Sequence, residues 1–262
     1  MNVSFVCGVV VGQAIVMPTA ALAQRPALPE ELALMNSVVL QEQDELQTTA
    51  GVQYFKFPDH KETTLDAQLE YGLTDRWQLE AEIPYTFLKP NGGSSVNGVG
   101  DVEVSTEYGL LDFREQSFSL DAGFGLGLPT GDRGRELGEG RLIAEPFLVV
   151  GQWFGPISAQ LNLAWRRAVT SGGTEPKNEY EYNLALIYPI QRWYLVLEGD
   201  GETTSRATKY YVTPEVIWRP GRHLFLLLAV PLGVTSTAAD YGVVASVTLE
   251  IENLFHRGRD ND

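Results

Sequence analysis

The stretch DAQLEYGLTDRWQLEAEIPY, residues 66–85, decides how the rest of the chain is read. From Asp66, one phase holds Asp66, Gln68, Glu70 and Gly72, and the other holds Ala67, Leu69, Tyr71 and Leu73. After LTDR the alternation resumes. Trp77, Leu79, Ala81, Ile83 and Tyr85 share one face; Gln78, Glu80, Glu82 and Pro84 share the other. A period of two marks an extended strand, because successive side chains point to opposite faces. An acidic face opposite an apolar one fits a half-buried soluble sheet or a membrane barrel, so the remaining sequence has to separate them.

The chain opens MNVSFVCGVVVGQAIVMPTAALAQ, an apolar run without charge that ends in the small-x-small pattern Ala21-Leu22-Ala23. This reads as a secretory signal peptide over residues 1–23. Cys7 lies inside it, so the exported chain carries no cysteine and holds together without disulfides. The formal net charge of −15 argues against a nucleic-acid partner and against a polybasic lipid anchor. No later stretch supplies the ~20 apolar residues of a membrane helix.

From residue 47 onward, strands of the ~9–11 residues that cross a bilayer at a tilt follow one another. Two kinds of break alternate between them. LTDR, LDFREQ, WFGP, PIQR and RPGR are short; FPDHKE, KPNGGSSVNGVG, PTGDRGRELGEG, VTSGGTEPKN, GDGETTSR and TSTAA tend to be longer and richer in glycine. Tight periplasmic turns opposite longer outer loops are the mark of an outer-membrane barrel. Trp77, Trp153, Trp193 and Trp218 border short breaks, as an aromatic girdle at one membrane rim would, with Trp165 near the other. The predicted fold is all-β: a transmembrane antiparallel up-and-down β-barrel of about 12 strands with both termini periplasmic. The barrel spans 47–255, a short periplasmic segment, part helical, spans 24–46, and a tail spans 256–262. On this reading the protein sits in the outer membrane of a diderm bacterium. Its partners are outer-membrane lipid and the barrel-assembly machinery, the latter reading a last strand that runs from Tyr241 to Phe255.

LEYGLTDRWQLEAEIPY, then GVGDVEVSTEYGLL, then GLGLPTGD resemble an outer-membrane family labelled "putative MetA-pathway of phenol degradation". The matching features are Glu70-Tyr71-Gly72-Leu73-Thr74-Asp75, Gly98-Val99-Gly100-Asp101 and Gly127-Leu128-Pro129-Thr130-Gly131-Asp132. The resemblance implies a porin-like channel, with aromatic or other hydrophobic compounds among its candidate cargoes.

The inward phase carries the candidate site. Asp66, Glu70, Glu80, Glu82, Asp101, Glu103, Glu107, Asp121, Glu145, Glu198 and Glu215 make the bore acidic, with Arg141 and Arg166 as the clearest basic partners. Carboxylates in a narrow aqueous bore attract cations, which predicts a weak cation preference. The opposing possibility is that Arg141 and Arg166 pair with these acids and close the bore. Phe147, Tyr194, Tyr211, Phe225 and Leu227 form an apolar inward wall. That wall guides a small amphipathic or aromatic solute, or simply fills a small barrel. Gly123, Gly125 and Gly127 cut a groove that admits a ligand or a neighbouring side chain.

No catalytic set is legible. His60, His223 and His256 are scattered, and His60 beside Asp59 lacks a third orienting group. Without cysteine or paired histidines no metal site or cofactor is expected. The leading reading is a non-enzymatic channel for small solutes. The alternatives are a packed or plugged barrel used for surface recognition or structure, and an outer-membrane hydrolase.

Overall fold

The computed structural model describes residues 26–112, 118–171, 176–252 and 254. The signal-peptide expectation for 1–23 and the tail expectation for 256–262 lie outside these described residues. Fourteen extended segments follow in order: β1 (Leu46–Lys56), β2 (His60–Thr74), β3 (Trp77–Pro90), β4 (Val96–Val99), β5 (Val102–Leu111), β6 (Phe118–Leu128) and β7 (Ile143–Phe154). They continue as β8 (Ile157–Ala168), β9 (Asn178–Ile190), β10 (Trp193–Thr204), β11 (Thr208–Trp218), β12 (Leu224–Ala229), β13 (Leu232–Gly233) and β14 (Tyr241–Ile251).

These make twelve staves of a closed antiparallel barrel. β4 and β5 form one stave, broken at Gly100 and Asp101, and both pair with β3. β12 and β13 form another, broken at Val230 and Pro231, and both pair with β14. Pro84 of β3 lies opposite the first break and Pro231 lies within the second, where a missing N–H costs a ladder bond. Pro84 instead accepts from Gly100 N at 2.9 Å, and Pro231 accepts from Gly242 N at 2.7 Å. β1 closes the ring on β14, from Leu46 opposite Ile251 to Lys56 opposite Tyr241, which brings the first and last strands' outer ends to one end of the barrel.

The period-two pattern maps directly onto the wall. Along β8, Ser158, Gln160, Asn162 and Ala164 point inward and are buried, whereas Ile157, Leu161, Leu163 and Trp165 point outward and are exposed. A ring of exposed apolar side chains on every stave is the lipid-facing surface of a barrel. At the end carrying the termini, Trp77, Trp193 and Trp218 face outward, and the last two stack at 5.4 Å. Trp153 corrects the girdle expected there. It is only 3 % exposed and points inward with Phe147 and Val149, while Phe154 takes the outward position at that turn. The loop asymmetry is also milder than the sequence suggested. His60–Glu62 of FPDHKE and Gly199–Thr204 of GDGETTSR belong to strands, because Phe57 N donates to His60 O and Thr204 N to Ala207 O, both at 2.9 Å, closing tight turns.

Leu163 lies midway along β8 on the outward face. Leu163→Arg is expected to lower the unfolding free energy in lipid vesicles by ~2–4 kcal/mol, read by denaturant titration of the refolded barrel.

Candidate functional site

Of residues 24–46, read from sequence as a short periplasmic segment, 26–45 are described and run inside the barrel, and Leu46 begins β1. They contain no helix there. A single bridge pairs Glu31 with Asn36 and makes a hairpin. Its base, Pro26–Leu28 together with Leu40 and Glu42, lies beside Asp75, Arg76, Trp153 and Arg219 at the end carrying the termini. Its tip reaches mid-lumen, where Ala33 N donates to Glu198 Oε1 and Glu215 Oε2, both at 3.2 Å. Below the tip, Val38 N donates to Gln160 Oε1 and Gln41 N to Gln78 Oε1, each at 3.0 Å. Buried backbone donors need partners, and here the barrel wall supplies them from its side chains.

The hairpin's apolar residues explain the apolar wall. Leu28, Leu32, Met35 and Val38 bury themselves against Phe147, Val149, Trp153, Tyr194, Phe225 and Leu227. The wall therefore packs against the chain's own segment. Tyr211 stands apart: its ring meets Phe55 edge-on at 5.9 Å and its hydroxyl accepts from Ala239 N at 2.9 Å.

The motif Glu70-Tyr71-Gly72-Leu73-Thr74-Asp75 is the clasp of this hairpin. Gln41 Nε2 donates to Glu70 Oε2 at 3.0 Å, and Tyr71 Oη donates to Asp44 Oδ1 at 2.7 Å. Gly72 exchanges backbone bonds with Asp44 and Glu45 (2.9 and 3.0 Å), and Gln43 N donates to Asp75 Oδ1 at 3.0 Å. A Cβ on Gly72 would collide with the Glu42 carbonyl, so the close approach requires glycine. The other two motifs meet likewise. Asp101 accepts from Gly131 N at 2.8 Å and Glu139 N at 2.7 Å, and Thr130 Oγ1 donates to Gly100 O at 3.0 Å. Asp101 thus anchors the 129–142 loop at the rim of the lumen.

The remaining inward acids occupy distinct surroundings. Asp66 accepts from Gln53 Nε2 at 3.0 Å, and Glu80 accepts from Gln68 Nε2 and Ser105 Oγ at 3.0 and 3.1 Å. Glu107 is buried, and Asp121, also buried, accepts from Ser119 Oγ at 3.3 Å. Glu82, with Asp66, Asp101 and Glu103, lines a cavity of about 730 Å³ that opens toward the far mouth. Arg141 bonds Glu139 and the Pro176 carbonyl, whereas Arg166 sits among Glu103, Glu145, Glu179 and Glu181. The groove of glycines receives neighbours: Phe147 lies over Gly123, Glu145 beside Gly125, and Ile143 beside Gly127. His60 pairs with Asp59 at 2.7 Å and stacks on Phe57 at an exposed turn.

Sequence reading missed the uncharged polar residues that hold the hairpin: Gln41, Gln47, Gln78, Gln160 and Asn183. Gln78 and Gln160 were already visible on the inward phase. Their partners lie 37 and 122 positions away in the sequence, a distance no local pattern carries.

The family model described as "Putative MetA-pathway of phenol degradation" matches residues 36–251. Among solved structures, the COG4313 outer membrane channel from Pseudomonas putida F1 superposes with a TM-score of 0.62 at 15% identity, covering 86% of this chain and 100% of that one. The KdgM porin gives 0.53 at 11% identity over 78% of this chain and 98% of its own. The NanC porin gives 0.53 at 11% identity over 79% and 99%. These likenesses establish a shared barrel fold. No curated protein matches the chain.

Gly72→Val is expected to dislodge the hairpin without opening the barrel. A glutamate-specific protease should then cut after Glu30 or Glu31 in the folded variant and spare those bonds in the parent, as read by the mass of the amino-terminal fragments.

Proposed function

Because the chain belongs to the family described as "Putative MetA-pathway of phenol degradation", we propose that this outer-membrane porin-like barrel is a channel for small solutes, closed by its own residues 26–45. The observation that carries the reading is the hairpin itself. It is held in the lumen by hydrogen bonds to wall side chains, by the backbone bonds of Asp44 and Glu45 to Gly72, and by apolar packing of Leu28, Leu32, Met35 and Val38. In this reading the termini and the hairpin face the periplasm, and the cavity of about 730 Å³ faces outward. Its acids, Glu62, Asp66, Glu82, Asp101 and Glu103 among them, favour cations over anions in a narrow bore. Phe225, Leu227 and Tyr194 offer a contact surface for an aromatic solute once the hairpin leaves them. Assembly by the barrel-assembly machinery, signal-peptide cleavage and a non-catalytic role belong to the same reading.

Planar-bilayer recording from refolded protein tests it. The full chain is expected to show rare, brief openings. A chain lacking residues 26–44 should conduct steadily, with a cation-selective reversal potential in a KCl gradient. Glu80→Gln, Glu82→Gln and Glu103→Gln together should reduce that selectivity. A correctly folded deletion protein that stays silent would refute the channel.

Docking of the hairpin is expected to depend on pH. Glu31 faces Gln47 and Thr49 of β1 and Glu70 and Glu80 of β2 and β3, with Glu30 beside it on the hairpin. Burial pushes its carboxyl from an ordinary 4.5 to about 7. A group with a raised value binds its proton more tightly docked than free, so docking is strongest below pH 4.5 and weakens as pH rises to about 7. Open probability should climb across that window, and Glu31→Gln should flatten the climb.

A further inference from the structure

Three cavities of the lumen meet at one side chain. Arg166 lines the far-end vestibule, a side chamber of about 430 Å³ and a space of about 350 Å³ over the hairpin tip. Its guanidinium faces Glu103 at 3.0 Å, Glu145 at 3.4 Å, Glu181 at 3.6 Å and Glu179 at 3.7 Å. Those carboxylates come from β5, β7 and β9. To reach Glu103 from β8, Arg166 passes in front of β6 and β7. The β6 wall is flat there because Gly125 and Gly127 carry no side chain; a Cβ at either would stand against Glu145, Ile143 or Glu103.

A guanidinium has five N–H donors in a planar fork, and four carboxylates surround it with more acceptors than it can satisfy. All five side chains retain between a fifth and a half of their exposure, so water reaches them, and Arg166 makes a hydrogen bond to Glu103 and longer ionic contacts to the other three. A tethered cation held by one hydrogen bond and three longer, wetted contacts is exchangeable for a free cation of the same shape.

We propose that Arg166 is the constriction residue of the lumen, and that the four glutamates around it form the socket through which small organic cations pass by displacing it. Planar guanidinium-bearing solutes are favoured over ammonium ones. The inference rests on the channel reading above and adds its solute class. The socket already holds a guanidinium in a geometry that accepts from several sides, and the vestibule leads to it along an acidic wall. The hairpin tip lies beyond it, so a solute arriving from the far mouth meets Arg166 first.

Two measurements test this, one of them independent of conduction. In detergent micelles, titration calorimetry with methylguanidinium should show saturable binding to Arg166→Ala, at least about tenfold tighter than to the parent, whose own side chain competes. Adding Glu103→Gln and Glu181→Gln should abolish it, and methylammonium should bind more weakly. Heat-modifiable gel mobility confirms the fold of each variant, and Arg166→Lys serves should the alanine variant fail to fold: its flexible ammonium should give intermediate binding. In bilayers, in the chain lacking 26–44, Arg166→Ala should raise conductance and cation selectivity, and methylguanidinium should return both toward the parent values. Binding no tighter in Arg166→Ala than in the parent overturns the socket. An unchanged reversal potential in a conducting Arg166→Ala protein overturns the constriction. Silence of every hairpin-free barrel refutes the channel reading alone, with calorimetry still deciding the socket.

Discussion

A chain that crosses lipid as strands must pair every backbone N–H and C=O within itself, and the pairing of β1 with β14 is where this chain meets that requirement. Without that seam two edges would face hydrocarbon. Closure at twelve staves in turn fixes a lumen of a definite width. It is too wide for the wall's own side chains to fill, and one hairpin occupies part of it. Much else in the structure follows from that intermediate size.

The hairpin solves two problems at once. It covers the apolar strip formed by Phe147, Val149, Tyr194, Phe225 and Leu227, which would otherwise lie bare in a wet bore. It also brings backbone donors into the lumen, and the wall meets them with Glu198, Glu215, Gln160 and Gln78. Polar partners rather than a continued sheet make this attachment separable from the barrel. Among the described residues, only Asp44 and Glu45, at the foot of the hairpin, exchange backbone bonds with a wall strand, at Gly72, so departure of the hairpin would leave the strand-to-strand ladder intact.

Charge is distributed unevenly along the same lumen. Near the hairpin Glu70, Glu198 and Glu215 are buried and accept from amides of the hairpin. Toward the far mouth the carboxyl groups line open space, and Arg166 stands at the boundary. The loop of residues 129–142, pinned by Asp101, supplies further acids there in Glu136 and Glu139. The vestibule and the hairpin region are therefore chemically different parts of one tube.

Residues 66–85 already contained the strand period, the turn at Asp75 and Arg76, and the sorting of Glu80 and Glu82 from Leu79 and Ile83, because side-chain alternation is a local property of extended backbone. The number of staves and the lipid face followed from the same local rule repeated along the chain. Trp153 departs from the girdle because it borders a turn while its own phase points inward. The hairpin lies outside that local rule for a deeper reason. Residues 26–45 have no period, since Ala33, Val38 and Gln41 take their partners from several sides, from β2, β3, β8, β10 and β11. Only closure of the barrel brings those strands around a common axis. The sequence by itself determined the wall and the face each residue takes. The tertiary structure decided what the wall encloses, because the contents of a lumen are contacts between residues far apart in the chain.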